Sequence, residues 1–586
     1  MKNKSKGFMI FAIVLSVLLA VVAGLLIYQI YTLNVLPTKL LIPTMILLAV
    51  LSLLIIVIIN FVPRSVVGKV FSSIFTIAMV CVFAFGNWYM YSTASMFSKV
   101  TKNEGKIKNT VSIITKASSS IDGLEDLSGK VATLKKIDTY GTEKCLKSVE
   151  KKLDVKHTKE FSKLPFEIVE YTNVAQEIDA LFNNDVEALV MNESYRSNVL
   201  EMDKYTDFDS STKVIYQAVY YTKKSNDALV VGDVTTTPFN ILVSGNDTYG
   251  EIDEVSRSDV NMVVTVNPVT STVLLTSIPR DMYVETTCDA QDACLQGALD
   301  KITHVGMHGV NASKRTVENF LDIEINYTYR VNFSSVINLV DALGGIEINV
   351  PEGQAVPVLR ADGSLEGVVE GKNQLDGKRA LAFARERYAY ADGDNQRVRN
   401  QQEVMMAIIR KATSPSIISN YASFMDALSG AFETNMSQDE ITTLLKYQLQ
   451  ASPEWKFETY QVQGTGGIYY CAELGQGAYA TIPDNRTVRI AKDKIMAVMN
   501  GKSSDTVDTS FLETTAPEYN YYEPASLPGE DIEAQEEPTY QESPEYIEQD
   551  PSIGQEQGPT IPETETPVRP EPEKPDVTDP PVENQS

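Results

Sequence analysis

The sequence predicts an α/β protein held to a membrane. It should carry N-terminal transmembrane helices, a small α/β accessory domain, a domain with a central mixed β-sheet flanked by helices, and a disordered C-terminal tail. Three observations predict this. Three charge-free apolar runs open the chain. β-branched runs then alternate with helix-spaced segments from about residue 100 to about 500. After residue 503, Pro, Glu, Thr and Gln dominate. A chain of 586 residues also exceeds one soluble core, so two or three units are expected.

The apolar runs are Phe8–Tyr31, Leu40–Val62 and Val70–Tyr91. Each has the roughly 20 residues that a helix needs to cross a bilayer. Trp88, Tyr89 and Tyr91 close the third run as interfacial aromatics. A cleaved signal peptide would explain the first run but not the two that follow. Lys2, Lys4 and Lys6 precede the first run, only Lys39 lies in the first loop, and Arg64 and Lys69 lie in the second. The positive-inside rule then puts the N-terminus in the cytoplasm. Three spans over residues 1–95 make a multi-pass cell-membrane anchor, with every later domain extracytoplasmic. That topology leaves no nucleic-acid partner and no ATP.

Residues 100–232 read as the accessory α/β domain. "GKVATLKKI", "FEIVEY" and "VEALVMNE" are strands, and "TEKCLKSVEKKL" and "VAQEIDALFNN" are helices. The wording resembles one lobe of an extracellular solute-binding protein, and no ligand follows from that. Thr222–Pro238 is a linker. The main domain is expected over 238–502. "FNILVSG" is a strand, "VNMVVTVNPVTSTVLLTSIPRDMYV" a hairpin around an Asn-Pro turn, "NASKRTVENFLD" and "FSSVINLVDALGG" helices, and "IEINVP" a strand. "RALAFARER" is expected as a strand and "DNQRVRNQQEVMMAIIRKAT" as a helix. Residues 503–586 are expected to be a disordered acidic tail.

The net charge of −26 is unevenly spread. From Ser503 onward, 22 Asp or Glu oppose only Arg569 and Lys574, so the folded part is nearly balanced. Local cationic sites can therefore exist. The five cysteines form no metal-type pair, and Cys288 and Cys294 are either a small disulfide loop or two free thiols. With only three histidines, His-based zinc or triad chemistry has little support.

Two constellations carry chemistry. In "LAFARER" a strand period of two puts Leu381, Phe383, Arg385 and Arg387 on one face. An apolar row running into two arginines suits a cavity that is greasy at depth and cationic at its mouth, so Leu381 and Phe383 are expected to line it. On the following helix Arg397 and Gln401 are i,i+4 neighbours. Guanidinium forks match phosphate oxygens, so the fitting ligand is a lipid with a phosphate head. The competing explanation is surface arginines paired with Glu386, Asp392 and Glu403. Arg399 points elsewhere and is set aside. In the second constellation Asp247 follows the domain's first strand and Asp259 precedes the second, so both should lie at one end of the sheet. Two carboxylates there make a hard oxygen site for a cation such as Mg²⁺. Arg257 shares that end, and Arg280 and Asp281 emerge where the hairpin ends. Turn chemistry would explain any one of these aspartates alone.

The stretches "SRSDVNMVVTVNP", "LLTSIPRDMYV", "DKITHVGMHG", "VNFSSVINLVDALGGIEINVP" and "LDGKRALAFARER…DNQRVRNQQ" together resemble the LytR–CpsA–Psr (LCP) family over about 240–500. The anchor and accessory unit look like its CpsA-type capsule-assembly members. The resemblance implies a phosphotransferase that moves a phosphoglycan, capsular or teichoic-acid-like, from a polyprenyl pyrophosphate carrier onto peptidoglycan, using Mg²⁺ or Mn²⁺. It implies metal binding by Asp247 and Asp259, and pyrophosphate contacts from Arg257, Arg280, Lys301, Arg385, Arg387, Arg397 and Gln401. Arg257, Asp259 and Arg280 would be the catalytic set, with other capsule-assembly membrane proteins as further partners. After Lys301 this chain reads "THVGMHG" where many members read closer to "NAAYAYGG". The alternatives are a lipid pyrophosphate hydrolase and a membrane-anchored regulator that binds polyprenyl phosphate.

Overall fold

A computed structural model describes residues 6–525, apart from 34–37, 63–64, 102–105, 224–227, 249–251, 253–255, 290–293, 362 and 415–431. Its first three helices are Lys6–Leu33, Thr38–Phe61 and Val66–Thr101. Each contains a segment long and apolar enough to cross a membrane. Most of their large apolar side chains point outward, as lipid-facing residues do.

The accessory unit is a five-stranded mixed sheet. In spatial order its strands are Glu167–Tyr171, Lys130–Leu134, Ala188–Asn192, Lys106–Lys116 and Thr212–Lys223. Lys130–Leu134 runs parallel to both its neighbours, and Lys106–Lys116 antiparallel to both of its own. The strand period splits the apolar residues between two faces. Val111, Ile113 and Val131 pack against Cys145, Leu146 and Val149 of the helix Thr139–Lys152. Ile114, Ala132 and Leu189 face Ile178 and Leu181 of the helix Val174–Phe182. That second face also meets Tyr283, Met307, Cys471 and Leu474, so the accessory unit shares a core with the main domain.

The main sheet has six strands in the order Phe432–Thr434, Tyr327–Val331, Phe239–Asn246, Ser258–Asn267, Thr272–Ile278 and Lys456–Gln461. Two pairings are parallel, Tyr327–Val331 with Phe239–Asn246 and Lys456–Gln461 with Thr272–Ile278, and the rest are antiparallel. The hairpin turn forms where Asn267 Oδ1 accepts from the backbone N–H groups of Val269 and Thr270. On one face Leu242, Val263 and Leu274 pack against the helices Val310–Leu321 and Asn485–Met499. On the other, Val243, Met262 and Leu275 face Met405 and Met406 of the helix Gly393–Ala412. The functional cavity opens on this second face. Cys288 and Cys294 are joined in a disulfide.

Two expectations are corrected. "RALAFARER" is a helix, Gly377–Arg385, not a strand. Asp376 caps it by accepting from Arg379 N at 2.8 Å, and its interior holds Ala, Leu, Phe and Arg with no β-branched residue. The chain also stays ordered past 502. Ser504 N and Ser503 Oγ donate to Glu458, Arg489 pairs with Glu518, and Ala525 N donates to Ile468 O. Reading the tail as one compositional block hid Phe511, Leu512 and Tyr519–Tyr522; Tyr522 stacks edge-on against Tyr283. The rest of the expected acidic tail, residues 526–586, lies outside the described residues.

Candidate functional site

The site forms where the sheet's first two strands end. A bulge between Gly245 and Asn246 shifts the register so that Asn246 opposes Ser258. A Cβ on Gly245 would come within 2.8 Å of Val260 Cβ, so only glycine allows this approach. The bulge brings Asp247 and Asp259 to the same sheet end, as the sequence predicts.

Each carboxylate is held by an arginine. Asp247 Oδ2 accepts from Arg257 Nε at 3.1 Å and from its terminal nitrogen at 2.5 Å. Asp259 Oδ1 accepts from Arg280 at 2.8 Å and from Thr303 Oγ1 at 3.3 Å. Asp247 Oδ1 and Asp259 Oδ2 accept no hydrogen bond among the described residues. Burial pushes the Asp247 carboxyl above the ordinary carboxylate range; Arg257 opposes the shift and the Asp259 charge adds to it.

These groups border a cavity of about 330 Å³. Its wall includes Asp247, Arg257, Asp259, Arg280, Arg385, Arg387, Arg397 and Gln401, with Val243, Met262, Val336, Leu381, Val404, Met405 and Ile408 making the apolar part. The helix Gly377–Arg385 carries Leu381 and Arg385 one turn apart, which puts both on the cavity side. The Arg385 guanidinium lies 4.2 Å from the Phe333 ring centroid. Phe333 begins the helix Phe333–Ala342, where Asn332 caps by accepting from Ser335 N at 2.9 Å. Phe333 N donates to Thr248 O, which ties this helix to the loop after Asp247.

Arg387 follows the helix end in a turn organised by Glu386. The buried Glu386 carboxylate accepts from the backbone N–H groups of Arg360, Ala361, Tyr388 and Ala389. Arg387 donates to Tyr388 Oη at 2.9 Å. Arg397 pairs with Asp394 one turn earlier on its helix. Burial lowers the Arg397 pKa against the opposing pull of Asp394.

Two predicted residues do not reach the cavity. Phe383 packs in the core with Leu343, Ile346 and Leu375. On a helix, a residue two positions from Leu381 points about 200° away, whereas a strand would return it to the same side. Lys301 is buried beside Asp281, its Nζ 3.5 Å from Oδ1, and does not line the cavity. Arg399 also lies outside it, paired with Asp392. Sequence reasoning missed Thr303, Asn332, Phe333, Glu386 and Tyr388. Only Asn332 had a local signal, an N-cap residue before "FSSVINLV".

No group of three or more metal-ligating side chains occurs among the described residues. The two open carboxylate oxygens still fit a hard cation whose other ligands are phosphate oxygens and water.

The LytR_cpsA_psr family model matches residues 202–488. A relative from Enterococcus faecalis, named polyisoprenyl-teichoic acid–peptidoglycan teichoic acid transferase TagU, is 34% identical over 266 residues, 45% of this chain and 80% of that protein. A Bacillus mycoides protein of the same name is 32% identical over 270 residues, 45% of this chain and 84% of its own. Among solved structures, one of TagT bound to LIIa-WTA is 27% identical, covers 46% of this chain and 94% of its own, and has a TM-score of 0.37.

Proposed function

Because this chain belongs to the LytR_cpsA_psr family, we propose that it transfers a phosphoglycan from a polyprenyl pyrophosphate carrier to peptidoglycan. One observation carries the reading. A cavity apolar along one side is rimmed by five arginines and two carboxylates. That composition suits a prenyl chain joined to a pyrophosphate and little else. The relatives' names, which join a polyisoprenyl-linked polymer to peptidoglycan, support the same reaction class. The polymer is capsular polysaccharide or a teichoic-acid-like chain.

The apolar wall at Leu381, Val404, Met405 and Ile408 takes the start of the prenyl chain. Arg385, Arg387 and Arg397 hold the pyrophosphate oxygens, with Gln401 adding an amide. A peptidoglycan hydroxyl attacks the phosphorus on the glycan side. A new P–O bond forms, the P–O–P bridge breaks, and polyprenyl phosphate leaves. The hydroxyl proton passes to solvent. Arg257 and Arg280 stabilise the charge that grows on the bridge and terminal oxygens. Asp247 and Asp259 would hold Mg²⁺ or Mn²⁺, which when bound supplies further charge neutralisation. Because both arginines are anchored by carboxylates, the charges stand in place before substrate arrives.

Three apolar N-terminal helices support a multi-pass anchor with the catalytic domain outside the cytoplasm, beside its lipid substrate. The Cys288–Cys294 disulfide suits that oxidising side.

The test is the double variant Arg385→Ala with Arg387→Ala. The protein should still fold and insert, and transfer of purified lipid-linked glycan to peptidoglycan should be lost. Unchanged transfer overturns the reading. Release of polyprenyl phosphate at the same rate with and without acceptor would instead identify a hydrolase. Lipid binding without turnover would identify a regulator.

A further inference from the structure

Beside the cationic cavity lies a second cleft of about 440 Å³, lined by Asp281, Asp394, Asn395, Gln461, Gln463, Tyr479 and Thr481 among others. The two are back to back. Arg280 lines the cavity while Asp281, the next residue, lines the cleft. Arg397 lines the cavity while its partner Asp394 lines the cleft. Two ion pairs, Arg280–Asp281 and Arg397–Asp394, therefore lie between them, each with its arginine on the cavity side and its carboxylate on the cleft side.

The cleft's chemistry is the reverse of its neighbour's. Asp281 and Asp394 draw their cationic partners Arg280, Lys301 and Arg397 from outside the cleft. Among the described residues Arg399 is its one lining cation, and Asp392 already pairs with it. Among those residues the cleft offers an anionic phosphoglycan no cation that is not already paired. Neutral hydroxyl and amide groups find partners. The Gln463 side-chain amide and the Tyr479 and Thr481 hydroxyls make no hydrogen bond among the described residues, and Gln461 donates to Asn395 Oδ1 at 2.8 Å. Tyr479 supplies a flat apolar surface. Its hydroxyl end rests on Gly466, where an added Cβ would lie 2.2 Å from the oxygen, and the side chain is 56% exposed. An exposed ring in a cleft of amides, hydroxyls and carboxylates has the composition that binds sugars. The ring covers a sugar's C–H face while the polar groups meet its hydroxyls and acetamides.

We propose that this cleft binds the acceptor, a neutral N-acetylated glycan strand, beside the cavity that holds the donor phosphorus. This rests on the transfer reading above. It adds that donor and acceptor are sorted by charge between adjoining sites. The shared ligand chemistry is a neutral glycan, and the donor polymer's own sugars are the rival source.

The experiment uses the full chain in detergent with Tyr479→Ala and Gln463→Ala, and Tyr479→Phe as the conservative control. Chitotetraose binding is titrated. Transfer kinetics are measured while lipid-linked donor and uncrosslinked peptidoglycan strands are varied separately. The expected result is saturable chitotetraose binding that is lost in Tyr479→Ala and kept in Tyr479→Phe. The acceptor KM should rise about tenfold or more while the donor KM holds. Unchanged binding and acceptor KM in both alanine variants, with melting curves matching the parent, overturn the proposal. A rise in donor KM alone also overturns it and gives the cleft to the donor. Chitotetraose binding lost in Tyr479→Ala, in a parent protein that never transfers, keeps the cleft as a glycan site and sinks the transfer reading instead.

Discussion

The cationic cavity and the seam beneath the accessory unit are both crowded with buried charge, and they are finished differently. In the cavity Asp247 and Asp259 each bind an arginine and each leave one oxygen without a hydrogen bond among the described residues. In the seam the carboxylates are held mainly by partners from within the protein. Glu473 accepts from Tyr195 Oη at 3.0 Å and meets His308 Nε2 at 2.8 Å, while its own N–H donates to Asp300 Oδ2 at 2.6 Å. Asp300 also holds His304 Nδ1 at 2.5 Å. The open oxygens in the cavity can still accept a ligand, whereas the seam's charged groups pair with one another across the two domains, with His304 Nε2 left without a partner among the described residues.

Breaking the seam should give the largest effect on folding. Glu473→Ala strands His308 and Tyr195 and should cost about 3–5 kcal/mol of stability. Thermal melting of the full chain in detergent checks this, and transfer per folded molecule should change little. The cavity should behave in the opposite way. Arg280→Ala should lower transfer about 100-fold, equivalent to roughly 2.7 kcal/mol of barrier, with a small change in melting temperature. A variant that trades these outcomes would erase the distinction.

Proton linkage sharpens the contrast. Burial pushes the Asp138 carboxyl up to about 6. Burial lowers the His308 pKa, but Glu473 and Asp138 outweigh it and the net shift is upward. Both groups bind a proton more tightly when folded, so their stabilisation is full at low pH. It is lost as pH rises from about 4 to 6 for Asp138, and from about 6.5 upward through the folded pKa of His308. Asp300 is shifted down because His304 and backbone donors overcome its burial, so its contribution is lost only below about 3.8. The melting temperature should therefore fall between pH 5 and pH 8, and Asp138→Asn should flatten the acidic part of that slope.

Two smaller changes mark the border between the regions. Glu386→Gln weakens the carboxylate that gathers four backbone N–H groups and should cost about 1–2 kcal/mol. Transfer should also drop, because the turn carrying Arg387 loosens. Arg399→Ala, which removes an exposed pair, should change stability by less than about 1 kcal/mol and leave donor binding untouched.

Much of the site was legible because its parts are local. Asp247 and Asp259 flank the first two strands, so strand order alone put them together. Arg397 and Gln401 are one helical turn apart. The strand reading of "LAFARER" selected the right Arg385 and Leu381 for the wrong reason. Positions four apart share a side in either period, while Phe383, two away, shares it only in a strand. Phe333 and Thr303 could not be read this way, since each enters from a separate segment and only packing brings it to the cavity.

The sequence by itself determined the anchor, the alternation of strands and helices, the acidic bias of the tail and the chemical character of the site, all of which follow from composition and short-range periodicity. The tertiary structure decided which charges face the cavity and which face the cleft, that Lys301 serves Asp281, and that the chain to residue 525 folds back onto the domain. Those outcomes depend on contacts between residues distant in the chain. Their energies come from desolvation and pairing, which no local pattern encodes.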